Sequence, residues 1–319
     1  MRGSSSSKTS VHAALIGNLL VAATKTVAAM WTGSSAMLSE AVHSFVDTGN
    51  EVLLLHGMRR AVRRPDPEHP VGHGRELYFW SFIVALLVFA LGAGVSLYEG
   101  VAHILAPEPI RDVTVSYVVL ALAFLFEGGS WLVALRHFRR VKGPLGYYAA
   151  FRRSKDPPSF MVLFEDSAAL LGIAIAAVGT FASTSLDQPV LDGVASILIG
   201  LVLAGTAVLL ARESKSLLIG ERADRALDRD IRRLVEASAV ARVNGVMTVQ
   251  LAPDQILAAL SLEFADDLRA PQIEEAVVRI EDQVREAHPE VVTLFVKPQT
   301  PKTFQEVIEQ RFEGGADAS

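Results

Sequence analysis

The sequence predicts a membrane all-α domain of six transmembrane helices followed by a small cytoplasmic α+β domain. Three observations carry that expectation. Half of the 319 residues are hydrophobic and only 20% are charged, too apolar a balance for a soluble chain of this length. Charge is also unevenly divided. From Glu213 onward there are 20 acidic and 13 basic residues, which leaves 15 of the 35 acids and 17 of the 30 bases in the first 212 positions. Finally, apolar runs of roughly 20 residues, long enough to cross a bilayer, recur through the first two thirds and stop near Arg212. The balance argues against nucleic-acid binding. The absence of cysteine excludes disulfides, thiolate zinc sites and thiol catalysis.

The elements follow in order. The opening MRGSSSSKTS is polar, carries Arg2 and Lys8 and lacks the small-residue cleavage site of a signal peptide, so residues 1–10 are expected to form a disordered tail. Spans are predicted near 11–31, 36–57, 78–105, 113–135, 160–182 and 188–211, making a transmembrane domain over 11–212. Hydropathy alone disfavours 36–57, but charge parity requires it. Arg59, Arg60, Arg63, Arg64 and Arg75 follow it, and Arg136, Arg139, Arg140, Lys142, Arg152, Arg153 and Lys155 separate the fourth and fifth runs. The linkers at 32–35, 106–112 and 183–188 carry one base between them. The positive-inside rule therefore puts both termini and both basic loops in the cytoplasm, which needs two crossings between Lys8 and Arg59.

Beyond Arg212 the period changes. DRALDRDIRRLVEASA has helical spacing, VNGVMTVQLA and QILAALSLEFAD read as strands joined at Pro253-Asp254, and APQIEEAVVRIEDQVREAH is a Pro-started helix. EVVTLFVKP closes the set as a β-branched strand. This αββαβ order over 213–300 predicts a ferredoxin-like or metallochaperone-like sandwich, with 301–319 a tail whose start is a fraying helix.

Ionisable side chains within a bilayer are costly and usually face a partner or a cavity. His43 and Asp47 stand at i and i+4 and share one helix face, with Asn50 near the same stripe. An imidazole beside a carboxylate is half of a divalent-cation site; the bland alternative is a pair that only bonds itself or a neighbouring helix. Glu165 and Asp166 in the fifth span supply a second acidic group. Glu127 is a candidate proton carrier or supporting partner, Lys25 a neutraliser of a buried acid, and Asn18 interhelical glue. Glu99 and His103 are expected at the interface; Glu40 and Glu51 flank the motif without an assigned role. In DPEHPVGHGRE, Asp66, His69 and His73 place a carboxylate and two imidazoles within eight residues, with Gly72 and Gly74 allowing a tight backbone. A solvated turn is the equal alternative there.

The six-span plan, SSAMLSEAVHSFVDTGN, HPVGHGR after the second span and DGVASILIG in the sixth resemble the cation diffusion facilitator family over about residues 10–300. The resemblance implies a homodimeric, proton-driven exporter of divalent metal, commonly Zn2+, with no resident cofactor. It implies a tetrahedral transport site from i, i+4 pairs on the second and fifth spans. His43 and Asp47 match the first pair and Asp166 one member of the second, but the position four residues earlier is Val162. Glu165 is the nearest replacement, about 100° away around the helix, and FEDSAALLG resembles an atypical branch carrying Glu-Asp here. The oxygen-rich set also admits Fe2+, Mn2+ or Co2+. Asp66, His69 and His73 match the family's loop ligands. In the terminal domain Ser261, Val296 and Pro298 stand where ligands are common and His288 is the sole histidine, so a metal-free dimerisation domain is expected. The expectation is an antiporter, not an enzyme, multi-pass in a bacterial inner membrane. The rivals are an exporter of organic cations and a non-transporting scaffold.

Overall fold

The computed structural model describes residues 4–237 and 241–313, which divide into two compact units. One comprises Met1–Val62 and Glu76–Lys215, the other Arg63–Arg75 and Ser216–Ser319.

The first unit is built from long helices: α1 (Ser4–Thr32), α2 (Ser35–Ala61), α3 (Glu76–Leu87) running through a π-helical turn (Val88–Ala93) into α4 (Gly94–Leu105), α5 (Val113–Lys142), a short α6 (Tyr147–Arg153), α7 (Pro157–Ser185) and α8 (Val190–Ile219). The third predicted span is thus one rod with a wide turn in its middle. The first helix begins at Ser4, so residues 4–10, expected as a tail, are helical; positions 1–3 lie outside the described residues. Serine is neither strongly for nor against a helix, and propensity at the end of an apolar helix is easily overridden. Among the described residues, four segments are both long and apolar enough to cross a membrane: Glu76–Leu105, Val113–Arg140, Phe160–Ser185 and Val190–Ile219. The second predicted span has the length but not the apolarity. α2 carries Glu40, His43, Asp47, Asn50 and Glu51, and α1 carries Lys8, Asn18 and Lys25.

Small side chains let these helices approach closely. The central core holds Ala28 and Ala36 of α1 and α2, Ala123 of α5, Ala168 and Ala176 of α7 and Ala195 of α8. A second cluster joins Leu54, Val84, Phe138, Phe151, Phe160 and Leu210. It anchors α6 through Ala150 and Phe151, a helix the sequence reading did not separate from the basic loop.

The second unit has the αββαβ order the sequence predicts: α9 (Arg225–Ala237), β1 (Ala241–Ala252), β2 (Gln255–Phe264), α10 (Ala270–Ala287) and β3 (Val291–Pro298). β1 and β2 pair antiparallel around the Pro253-Asp254 turn, and β2 pairs parallel with β3 through the α10 crossover, giving sheet order β1-β2-β3. Leu227, Ile231 and Val235 fall at i, i+4 and i+8 of α9, and with Ile280 and Val284 of α10 they cover Val243, Ala258, Leu260 and Leu262. Residues 301–313, expected at the head of a tail, form a further helix, α11 (Pro301–Glu313); 314–319 lie outside the described residues. The segment Arg63–Arg75, expected within the membrane domain, belongs instead to this unit. Its chain passes against the β1–β2 hairpin, where a side chain on Gly74 would meet Leu251 O at 3.0 Å and Ala252 Cβ at 2.9 Å.

Candidate functional site

The polar stripe of α2 faces α7. His43 Nδ1 lies 3.4 Å from Asp47 Oδ1, at ion-pair distance but without hydrogen-bond geometry. Both imidazole nitrogens are buried with no hydrogen-bond partner, as is Asp47 Oδ1. Buried polar atoms are rarely left so, and an unpaired imidazole beside a carboxylate is what an absent cation would satisfy. One turn further, Asn50 Nδ2 donates to Glu165 Oε1 at 3.1 Å, tying α2 to α7. Ser130 of α5 donates to Asp166 Oδ2 at 2.9 Å. The sequence offered no signal for Ser130, since a single serine in a span is ordinary.

These groups meet at a small pocket of about 20 Å³ lined by Asn18, Ser44, Asp47, Glu51, Glu127, Val162, Glu165 and Asp166. That is room for one water or one bare ion. Glu165 and Asp166 both reach its wall although α7 is an unbroken helix, so no unwinding is needed to present the adjacent pair. Val162 is also in the wall and contributes only hydrocarbon. His43 is not; it stands behind Asp47. Among the described residues, the transport set does not bring three ligand atoms within 4.8 Å of one another. The arrangement is a set of five carboxylates around a small void.

Beside the pocket lies a buried ion network. Lys25 Nζ donates to Glu40 Oε2 at 3.2 Å and Ser44 Oγ at 2.8 Å, and Glu127 Oε1 lies 3.6 Å away. Lys25 and Glu40 are fully buried. Glu40 is seated on Gly172 of α7, where a Cβ would come within 2.1 Å of Oε1, so only glycine leaves space for that carboxylate. Asn18 donates to Glu51 at 2.8 Å. Glu40 and Glu51, unassigned from sequence, are therefore each held by a partner on α1.

At the other end of α2, Asp192 of α8 is fully buried and accepts from Ser34 Oγ (2.8 Å), Ser35 N (2.6 Å) and Ala36 N (3.3 Å). It satisfies orphan donors of the α2 N-terminus and adds a favourable negative charge there. Sequence reasoning missed this residue. An ionisable group opening a span was the available signal, but nothing local names its partner. His103 is buried with Nε2 4.0 Å from Asp192 Oδ2, which corrects the expectation of an interfacial histidine: the α4 end is covered by α8.

The loop constellation does converge. Asp66 Oδ1 is 3.1 Å from His69 Nδ1 and Asp66 Oδ2 is 3.0 Å from His73 Nε2, with the two rings 4.3 Å apart. All three ligand atoms lie within 4.8 Å of one another. Gly72 takes φ +83, a left-handed turn that suits glycine. The backbone N–H of His69, then the His73 side chain, hold the Asp66 carboxyl well down, at about 2. The sign is that of a depressed acid: its ionised form is favoured by the fold, and that contribution is lost only as pH falls towards 2. Asp66 thus stays ionised across neutral and mildly acid pH. Asp66→Asn removes the anionic oxygens that both imidazoles face, and is expected to weaken Zn2+ binding at this loop by about tenfold or more. Calorimetric titration of the two proteins at neutral pH checks it; an unchanged affinity refutes it.

Residues 11–219 match the family model of the cation efflux transmembrane domain. The human protein named proton-coupled zinc antiporter SLC30A9, mitochondrial, is 37% identical over 199 residues, covering 61% of this chain and 35% of that protein. Metal tolerance protein C4 of Arabidopsis thaliana is 34% identical over 233 residues, 72% of this chain and 50% of that protein. The cation-efflux pump FieF of Escherichia fergusonii is 24% identical over 291 residues, 86% of this chain and 88% of that protein. The chain thus spans about a third to a half of the length of the animal and plant relatives. With a mitochondrial and a plant protein among its relatives, the bacterial inner membrane expected from composition is not supported, whereas a multi-pass membrane protein is. The matched domain covers most of the chain and contains the α2, α5 and α7 groups described above, so the chain belongs to the cation efflux, or cation diffusion facilitator, family of transporters.

Proposed function

We propose that this protein exports a divalent metal cation, Zn2+ foremost, from the cytoplasm by exchange for protons. The observation that carries the reading is the pocket where Asp47 of α2 meets Glu165 and Asp166 of α7, with His43 holding two unpartnered nitrogens behind it. Metal binding requires deprotonated ligands, so protons entering the same groups release the ion. Rocking of the helices then exposes the site alternately to each side. The relatives whose names specify zinc and proton coupling support the substrate and the driving ion; an oxygen-rich set leaves Mn2+, Fe2+ and Co2+ as lesser substrates. A homodimer through the α+β unit is part of the proposal, and Asp66, His69 and His73 form a second, loop-borne cation site.

The pocket volume weighs against an organic-cation exporter, because drug-sized ligands need roughly 300 Å³ or more. The test is Zn2+ uptake into inside-out vesicles driven by an imposed proton gradient, with Mn2+ and Fe2+ as competitors. Gradient-independent or absent uptake overturns the reading. Val162→Asp separates the scaffold alternative. It adds a carboxylate one turn before Asp166, on the pocket wall, and is expected to tighten Zn2+ binding about tenfold, or about 1.4 kcal/mol. No gain in calorimetry means Val162 does not face the ion.

A further inference from the structure

We propose that Lys25 is a tethered cation filling a second cation site beside the transport pocket, and that by filling it Lys25 sets the ion selectivity of the pocket. The inference rests on reading the pocket as a cation site and goes beyond it. The ammonium nitrogen sits among three oxygens from two helices: Ser44 Oγ at 2.8 Å, Glu40 Oε2 at 3.2 Å and Glu127 Oε1 at 3.6 Å. That is the coordination of a bound monovalent ion, delivered on a side chain. Ser44 and Glu127 also line the transport pocket, so the two sites share a wall. Glu40 Oε1 remains buried without a partner, leaving this carboxylate more acceptor capacity than one ammonium uses.

Hard cations such as Mn2+ and Ca2+ favour sites built only from oxygen, and Zn2+ favours those with nitrogen. Without Lys25, the oxygens of Glu40, Ser44 and Glu127 would extend the carboxylates of Asp47 and Asp166 into a larger all-oxygen cage, suited to a hard ion or to a second ion. With Lys25 in place, those oxygens are engaged. A positive charge stands next to the pocket, and Asp47, Glu165 and Asp166 of the wall, with His43 beside Asp47, are left to complete a shell. Lys25 thus acts as a specificity-determining residue through the groups it occupies.

The experiment is Mn2+ binding to the purified full chain in lipid nanodiscs, followed by electron paramagnetic resonance, together with Zn2+ against Mn2+ competition. Lys25→Gln is expected to bind one more Mn2+ per chain than the wild type. It should also shift the Zn2+/Mn2+ preference towards Mn2+, because the freed oxygens add hard donors, whereas the lost charge acts alike on both dications and cancels from their ratio. Lys25→Gln/Glu40→Gln should lose the added site. A folded Lys25→Gln with unchanged Mn2+ number and preference overturns the proposal, as does an added site that survives the second substitution. If Lys25→Gln does not fold, Glu40→Gln carries the test. Its ammonium, released from the nearest carboxylate, should lean on Glu127 and weaken Zn2+ binding in the pocket, and unchanged Zn2+ affinity refutes the idea. A wild type without zinc flux would instead sink the transport reading, while the count of bound Mn2+ in the variants still decides the role of Lys25.

Discussion

Asp47→Ala is expected to abolish proton-driven Zn2+ uptake into inside-out vesicles while the protein still folds. Residues that merely support metal ligands are typically worth 10- to 100-fold, so loss of a direct ligand should lower uptake by at least about a hundredfold. The fold should survive because the carboxylate does little for it. Asp47 Oδ1 has no hydrogen-bond partner, and the residue shares its pocket with Glu51, Glu127, Glu165 and Asp166. Removing one of five crowded acids relieves repulsion, so the melting temperature should be unchanged or slightly raised, the usual sign of a group kept for function rather than stability. Uptake at the wild-type rate in folded Asp47→Ala would remove Asp47 from the site. A collapse in melting temperature would show that the carboxylate is structural.

Asp192→Ala is expected to show the reverse pattern, with a large loss of stability. The substitution strands the Ser34 hydroxyl and the Ser35 and Ala36 amides, all held by Asp192 within 3.3 Å. Each buried orphan costs about 1–3 kcal/mol. Ser34 can still cap Met37 N, so a net loss of about 3 kcal/mol is expected. At about 2–4 °C per kcal/mol for a chain of this size, the melting temperature should fall by about 6–12 °C in scans at one fixed heating rate. Asp192→Asn keeps an accepting oxygen and should lose about half as much. Zinc affinity in both variants should stay near the wild-type value, because Asp192 is not in the pocket wall. A melting temperature equal to wild type in Asp192→Ala would mean that water or Ser34 satisfies the α2 N-terminus unaided.

The residues that differ most between the two levels of reading are the buried ions. Helical spacing tells that His43 and Asp47 share a face, and the rule that membrane-embedded charges need a reason marked Lys25, Glu127, Glu165 and Asp166. Spacing does not tell which acid Lys25 meets. Glu40 and Glu127 lie on different helices, and the choice depends on how α1 is rotated against α2 and α5. The same limit hid Asp192, whose partners lie some 157 positions away in sequence, and the burial of His103, expected at the interface, beside it. The loop is the opposite case: Asp66, His69 and His73 are close in sequence, and a short glycine-punctuated turn brings them together with little help from elsewhere.

The sequence by itself determined the two-part architecture, the order of its helices and strands and the kinds of side chain set within the membrane domain. Hydrophobic period and charge asymmetry are local, additive signals, readable without knowing what packs on what. Only the tertiary structure decided that Glu165 and Asp166 both wall one ion-sized void, that the nitrogens of His43 are unpartnered, that Lys25 occupies the oxygens of Glu40, Ser44 and Glu127, and that Arg63–Arg75 packs with the α+β unit. Those facts depend on the relative rotation and depth of whole helices. Many small contacts fix these jointly, and no single stretch of sequence encodes them.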